Sequence, residues 1–264
     1  MSRTSVLRTP VKYYGGKTRM LKHLLPMIPK HRIYVEPFCG GASLFWAKEP
    51  SKIEVLNDIN GNVVNFYQTV QSNFSELDER IQGSLHCEHS FNYAKLVYHN
   101  PSKFSKVERA WAFWVSCNQS FAAEAAGSFQ WVKNKHDNWH PAVSVDNRKK
   151  EFPQYRGRLN RVCIMDRDAV QMIADRDGGD TFFYLDPPYV GARQGHYKGY
   201  SQENFNELLY ALAEVKGKFL LSSYHNAELD LIKAEYNWSQ MGIDQRLGVS
   251  GGTKRKTEVL TWNY

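Results

Sequence analysis

The chain has 264 residues, enough for one large core or for one core with a modest second lobe. Hydrophobic content of 42% and aromatic content of 14% exclude a disordered chain, and 34 Lys and Arg against 27 Asp and Glu leave a formal charge of +7, which favours a polyanionic partner. Four scattered cysteines, Cys39, Cys87, Cys117 and Cys163, form no Cys-x-x-Cys pair and fit a reduced, cytoplasmic compartment, while no segment approaches the ~18 apolar residues of a membrane helix, so neither secretion nor membrane insertion is expected.

In chain order, KYYGGKTRML (12–21) sets Lys17 after a glycine pair and before a helical run, where a cation can meet the carboxylate of a bound cofactor. RIYVEPF (32–38) is the first β-rich run, and YVEPFCGGASLFWA (34–47) reads as strand, glycine turn and helix start. Gly40 and Gly41 would let the backbone approach a ligand, and Glu36 would follow the strand into the same crevice. KIEVLN (52–57) is the second strand, with Asp58 just past it. An acid about 20 positions beyond such a turn holds ribose hydroxyls in nucleoside-binding α/β folds; the other reading of Asp58 is a helix N-cap.

Helical patterns cover 60–82 and 103–117, and 118–158 is polar, aromatic and basic. Strand patterns resume at RVCIM (161–165), TFFYL (181–185), KFLLSS (218–223) and TEVLTW (257–262). Strands alternating with helices predict an α/β fold with a largely parallel sheet, interrupted by an inserted lobe over 70–158 between catalytic segments 1–69 and 159–264.

The run TFFYL ends on Asp186, Pro187, Pro188 and Tyr189. Proline brings no N–H to a ladder and keeps its predecessor extended, so Asp186 is expected at the carboxyl edge of a strand, where open α/β sheets bind ligands. The segment 147–161 carries Arg148, Lys149, Lys150, Arg156, Arg158 and Arg161 against the single acid Glu151, and Trp111, Trp114, Trp131 and Trp139 lie in or just before this lobe. Basic groups among aromatic ones suit phosphate contact, although Trp111 and Trp114 read as core. The histidines of HCEH (86–89) and HDNWH (136–140) read as surface residues and not as metal ligands.

Taken together the ordered motifs resemble the Dam-type (D12) family of adenine-N6 DNA methyltransferases. The matching positions are Lys12, Tyr13, Gly15, Gly16 and Lys17, then Glu36 to Phe45, Asn57 to Asn60 and Asp186 to Tyr189. The chain departs from the family pattern at Ala42, where a second glycine is common, and at Tyr13, where tryptophan is common. SFAAEAAGSFQW (120–131) does not reproduce the target-recognition hairpin of GATC-specific members, so that specificity is not carried over.

The resemblance implies a Rossmann-like, S-adenosylmethionine-dependent methyltransferase fold with an inserted target-recognition lobe. It implies double-stranded DNA as substrate, S-adenosylhomocysteine as product and no metal; whether a cognate restriction endonuclease acts separately beside it is left open by the sequence. Asp186, Pro187, Pro188 and Tyr189 would form the catalytic tetrapeptide, with the Asp186 carboxylate and the Pro187 carbonyl accepting the amine hydrogens of a flipped adenine. Tyr13, Gly15, Lys17, Glu36, Pro37, Phe38, Gly40, Gly41, Asp58, Asp168 and Asp186 would bind the cofactor, with Asp166 a rival to Asp168 and both readable as helix-start acids. Lys133, Lys135, Arg148, Lys149, Lys150, Arg156, Lys254 and Arg255 would meet DNA. Cytosine-N4 methylation and a catalytically silent DNA-binding subunit are the competing readings.

Overall fold

The computed structural model describes residues 7–131, 140–191, 197, 199–246 and 255–264, with backbone alone for 245, 246, 255 and 256. The chain divides into two compact units. The first comprises 1–28, 40–50 and 60–166, and the second 29–39, 51–59 and 167–264. The expected lobe, 70–158, lies wholly within the first unit, which also takes in the N-terminal segment and the glycine turn.

The strands are β1 (Ile33–Glu36), β2 (Ile53–Asn57), β3 (Val162–Met165), β4 (Thr181–Leu185), β5 (Lys218–Ser223), β6 (Ser239–Arg246) and β7 (Arg255–Trp262). They form one seven-stranded sheet in the order β3-β2-β1-β4-β5-β7-β6. Neighbours β2, β1, β4 and β5 run parallel, with Tyr34 level with Glu54 and Phe182, and Phe183 level with Phe219. The two last strands are antiparallel, Ser222 lying opposite Leu260.

The burial explains the sequence texture. All five residues of β4 are buried, as a central parallel strand covered on both faces requires, and so TFFYL reads as an unbroken apolar run. In contrast, β6 pairs only with β7 in the sheet order, is largely exposed, and has the polar sequence SQMGIDQR, so no apolar alternation announces it.

Helices of the first unit are α1 (Leu21–Leu24), α2 (Ser43–Ala47), α3 (Gly61–Ser72), α4 (Phe74–Gln82), α5 (Glu88–His99), α6 (Lys106–Gln119), α7 (Pro141–Glu151) and α8 (Tyr155–Leu159). The predicted helix over 60–82 is broken at Asn73 (φ −126°, ψ 38°) into α3 and α4. Trp114 is fully buried on α6 and meets Phe152 edge-on at 6.4 Å, while the half-buried Trp111 donates its indole N–H to Ser84 Oγ at 2.6 Å. Both tryptophans thus belong to the packing, as expected, whereas Trp131 is 63% exposed.

The second unit adds α9 (Ala169–Arg176), α10 (Gln202–Ala213) and α11 (Ala227–Glu235). Side chains cap each of them. Asp168, Ser201 and Asn226 accept from the first-turn backbone N–H groups, with a reciprocal Ser201–Asn204 box at α10. Among the described residues no helix is long and apolar enough to cross a membrane, and all four cysteines are free thiols.

Candidate active site and nucleic-acid-facing residues

In the second unit, β2 lies on one side of β1 and β4 on the other. Chain order therefore reverses between β1 and β4, the topological switch point at which open α/β sheets take their ligands. Glu36 ends β1, Asp58 follows β2 and Asp186 follows β4, so three carboxylates stand at the carboxyl ends of adjacent strands.

The last pair of the β4–β5 ladder is Leu185 with Leu221. Pro187 and Pro188 offer no N–H to extend it, and Asp186 stands half-buried past the last rung. Tyr189 folds back onto it. Its hydroxyl lies 3.1 Å from Asp186 Oδ1 and 2.9 Å from Glu258 Oε1, and its ring meets Tyr224 with centroids 4.4 Å apart. Burial, then the negative charges of Asp186 and Glu258, push the phenol pKa well above its ordinary value, so Tyr189 stays a donor at neutral pH. Glu258, 6% exposed on β7, was not singled out from sequence. Its only local signal is a lone acid inside the otherwise β-favouring run TEVLTW.

Glu36 is 2% exposed and accepts a hydrogen bond from the phenol of Tyr34, two residues earlier on the same strand face. Burial, then Glu36, raise the Tyr34 pKa well above the tyrosine range. A solvated loop position for Glu36 is thereby excluded.

Asp58 is 1% exposed. Its Oδ2 accepts from the Tyr197 hydroxyl at 2.7 Å and lies 4.0 Å from the Cys39 thiol, which burial and then Asp58 keep protonated by raising its pKa. The N-cap of α3 is Asn60, whose Oδ1 accepts from the Asn62 N–H at 3.0 Å, so capping does not account for Asp58.

Asn57, named from sequence only as the first position of the Asn57 to Asn60 motif, links two segments of the second unit. Its Nδ2 donates to the carbonyls of Pro37 and Arg167, each at 2.9 Å, and its Oδ1 accepts from the Arg167 N–H at 2.9 Å. One 1%-exposed amide thus ties together the chain beside Phe38 and beside Asp168. Phe38 packs edge-on against Tyr200 at 6.1 Å, and burial, then Asp168 and Glu207, raise the Tyr200 pKa. Asp168 is exposed and caps α9, its Oδ1 accepting from Val170 N at 2.9 Å and Gln171 N at 3.1 Å; the helix-start reading of this acid holds.

The first unit carries the other expected cofactor residues. Tyr13 to Gly16 form a tight turn closed by Gly16 N–H donating to Tyr13 O at 2.9 Å, with Gly15 at φ +75°, a conformation suited to glycine. Lys17 is not a surface lysine. It is 8% exposed, and its Nζ donates to Gly15 O at 3.0 Å. The space left by Gly40 and Gly41 is taken by Tyr13: a Cβ on Gly40 would stand 2.7 Å from Tyr13 Cε1, and one on Gly41 2.9 Å from Tyr13 Cβ. The turn is held further by Thr9 Oγ1 donating to Gly41 O at 2.6 Å and Tyr67 Oη donating to Gly40 O at 2.9 Å. Ala42 adopts φ +50°, ψ +42°, so the position where the family often has glycine keeps the left-handed conformation here with a methyl group on it. The helix that follows, α2, is five residues long and wholly buried.

Of the residues expected to meet DNA, Arg148 turns inward, its Nη1 donating to Thr9 O at 2.8 Å. Lys149 donates to Gln82 O at 3.0 Å, Lys150 pairs with Asp146 at 2.7 Å, and Arg156 is exposed with its guanidinium 5.8 Å from the Phe74 ring centre. Lys133, Lys135 and Lys254 lie outside the described residues, and of Arg255 only the backbone, in β7, is described. Residues 119–130 close antiparallel, with Gln130 N–H on Gln119 O at 2.9 Å, Phe121 N–H on Ser128 O at 2.8 Å and Phe121 53% exposed. The segment therefore does form a hairpin-like turn, through left-handed Ala122, Ala123 and Ala126 that its sequence did not advertise. His86 is half-buried, bonded to Gln130 O at 2.9 Å and stacked on Phe129, which corrects its reading as a surface residue. No group of three metal-ligating side chains occurs among the described residues.

Comparison with known proteins gives the family. The profile of the D12 class N6 adenine-specific DNA methyltransferases matches residues 13–240. The Type II methyltransferase M1.LlaDCHI of Lactococcus lactis subsp. cremoris is 25% identical over 98% of this chain and 96% of its own length. The retron Ec67 DNA adenine methylase of Escherichia coli is 25% identical over 96% of this chain and 90% of its own. The DNA adenine methylase of Salmonella typhi is 23% identical over 97% and 95% respectively. With the profile spanning most of the sequence, the chain belongs to the D12 class of N6 adenine-specific DNA methyltransferases.

Proposed function

We propose that this methyltransferase takes its methyl group from S-adenosylmethionine and acts on adenine at the edge formed by Asp186, Pro187, Pro188 and Tyr189. The observation that carries the proposal is the half-buried Asp186 past β4, with Tyr189 folded back beside it, at the switch point of a parallel sheet. The chain's own groups fit the cofactor. Asp58 already accepts a hydroxyl, that of Tyr197, in the way a ribose hydroxyl would be held. The glycine turn with Tyr13, Gly15, Lys17, Gly40 and Gly41 is assigned to the methionine part, and Glu36, Pro37 and Phe38 of the second unit are also assigned to the cofactor. Asp168, whose Oδ1 caps α9, would approach the cofactor adenine through its other oxygen.

Bound S-adenosylmethionine supplies an electrophilic methyl group on a sulfonium and leaves as S-adenosylhomocysteine. The chemistry left to the chain is to make an exocyclic amine nucleophilic. Its lone pair is delocalised into the purine, and acceptors on both amine hydrogens draw the nitrogen towards tetrahedral geometry. Asp186 and the Pro187 carbonyl are assigned that work, by electrostatic preorganisation together with alignment of nitrogen and methyl. The base must leave the duplex to reach them, and the Tyr189 ring is assigned to stack on it.

Target recognition is assigned to the lobe over 70–158, with the turn at 119–130 and the exposed Arg156 as contacts. A separately acting restriction endonuclease fits a relative named as a Type II methyltransferase, and four free cysteines fit a reducing cytoplasm. Calorimetric titration with S-adenosylmethionine tests the cofactor assignment. Wild type binds, and Asp58→Asn weakens binding about 10- to 100-fold, as expected for losing hydrogen bonds to a charged acceptor. Equal affinity in the two proteins would remove Asp58 from the site.

A further inference from the structure

Tyr189 presents one phenolic proton to two carboxylates. Asp186 Oδ1 is 3.1 Å from the hydroxyl and Glu258 Oε1 is 2.9 Å from it. A hydroxyl has a single hydrogen, so it donates fully to one oxygen at a time or weakly to both. Asp186 is the acceptor that the proposed chemistry needs, and each share of the phenol proton it receives lowers its power to accept from the adenine amine. Glu258, the nearer of the two, draws that proton away. It is held for the purpose by β7, where Glu258 lies opposite Ile243 of β6 and its neighbour Val259 opposite Ser223 of β5. A carboxylate only 6% exposed, inside a sheet and bonded to a catalytic tyrosine, is an expensive group to keep as mere packing.

We infer that Glu258 is a positioning residue for the methyl transfer: by accepting the Tyr189 hydroxyl it fixes the tyrosine ring at the edge and leaves Asp186 as the acceptor for the amine. The inference rests on the assignment of Asp186 and Tyr189 to the reaction. Among the described residues, the charged and titratable groups that act on the phenol include Asp186 and Tyr184 from the β4 side, Glu258 from β7 and the Tyr224 ring after β5, and Glu36 of β1 acts on Tyr184.

The test is a cycle of Glu258→Gln, Tyr189→Phe and the double variant, each assayed for methyl transfer to DNA and titrated with S-adenosylmethionine. Glutamine keeps the size and an accepting oxygen but loses the charge, so packing is preserved while the pull on the proton weakens. In the Tyr189 background kcat falls about tenfold, the scale of one charge-assisted hydrogen bond, with KM and cofactor affinity unchanged. In the Tyr189→Phe background the same substitution has no further effect, because no phenol proton is left to distribute.

A second readout needs no turnover. The ultraviolet difference titration of Glu258→Gln against the double variant isolates the Tyr189 phenol, whose ionisation moves down towards the ordinary tyrosine range. Should Glu258→Gln fail to fold, Glu258→Asp keeps the charge but draws the acceptor back, and a severalfold loss of kcat that vanishes with Tyr189→Phe carries the same meaning. Equal loss in both backgrounds, or wild-type kcat with an unmoved phenol, overturns the inference. If wild type itself makes no N6-methyladenine, it is the assignment of the site that fails.

Discussion

Replacing Gly40 by alanine tests how the glycine turn is built. The backbone at Gly40 has φ +45°, in the left-handed region, where a side chain costs about 1–2 kcal/mol. The added Cβ would also stand 2.7 Å from Cε1 and 2.9 Å from Cδ1 of Tyr13. Carbon atoms pack comfortably at about 3.5–4.0 Å, so the ring must retreat by roughly 1 Å, and such overpacking costs about 1–3 kcal/mol more. The sum, about 2–5 kcal/mol, lowers the melting temperature by roughly 4–20 °C in a protein of this size. Scanning calorimetry of Gly40→Ala measures it. In a Tyr13→Ala background the steric part disappears and about 1–2 kcal/mol of backbone strain remains. A Gly40→Ala protein that melts with wild type, or one whose loss is the same with and without the Tyr13 ring, would refute the claim that Tyr13 occupies the space these glycines leave.

Other expectations follow from single contacts. Asn57→Ala removes two donated hydrogen bonds and one accepted bond that tie Pro37 and Arg167, and lowers stability by about 2–4 kcal/mol in denaturant melts; a loss under about 0.5 kcal/mol would contradict its role. Burial and then Arg148 hold the Lys12 pKa down at about 8, below the ordinary 10.5, so the unfolded chain binds the extra proton between these values and native stability rises with pH across that window. Lys12→Met therefore melts higher than wild type at pH 7, and the gap narrows between pH 8 and 10.5; a pH-independent gap would exclude this origin. Ala42→Gly relieves a left-handed alanine and raises the melting temperature slightly, although Ala42 is only 2% exposed. Thermal melts of that variant give the sign, and a clear fall would show that burial dominates.

What the sequence disclosed, and what it hid, divide along one physical line. TFFYL coincides with β4 because a central strand covered on both faces reads as an unbroken apolar run, and KFLLSS coincides with β5 through its buried apolar stretch Phe219 to Leu221. The Asp-Pro-Pro-Tyr edge was legible because proline's lack of an N–H is a local fact. β6 was missed because an exposed edge strand has no apolar pattern to display, and α5 (Glu88–His99) because its buried positions are few. Long-range pairings were equally hidden. Gly40 and Gly41 looked like room for a ligand, yet the neighbour is Tyr13, far back in the chain. Arg148 looked like a phosphate contact, yet it bonds Thr9, and Glu258 looked like one charge in a strand, yet it meets Tyr189. Such contacts depend on which elements the fold makes adjacent, and no local periodicity encodes that.

The most direct test of the account is methyl transfer from labelled S-adenosylmethionine to unmethylated DNA, followed by digestion to nucleosides, with Asp186→Ala alongside wild type. The account predicts label in N6-methyldeoxyadenosine from wild type and at least a hundredfold less from the variant, as removal of a preorganised acceptor costs about 10²–10³ in rate. Label in N4-methyldeoxycytidine, or equal transfer by both proteins, would contradict it.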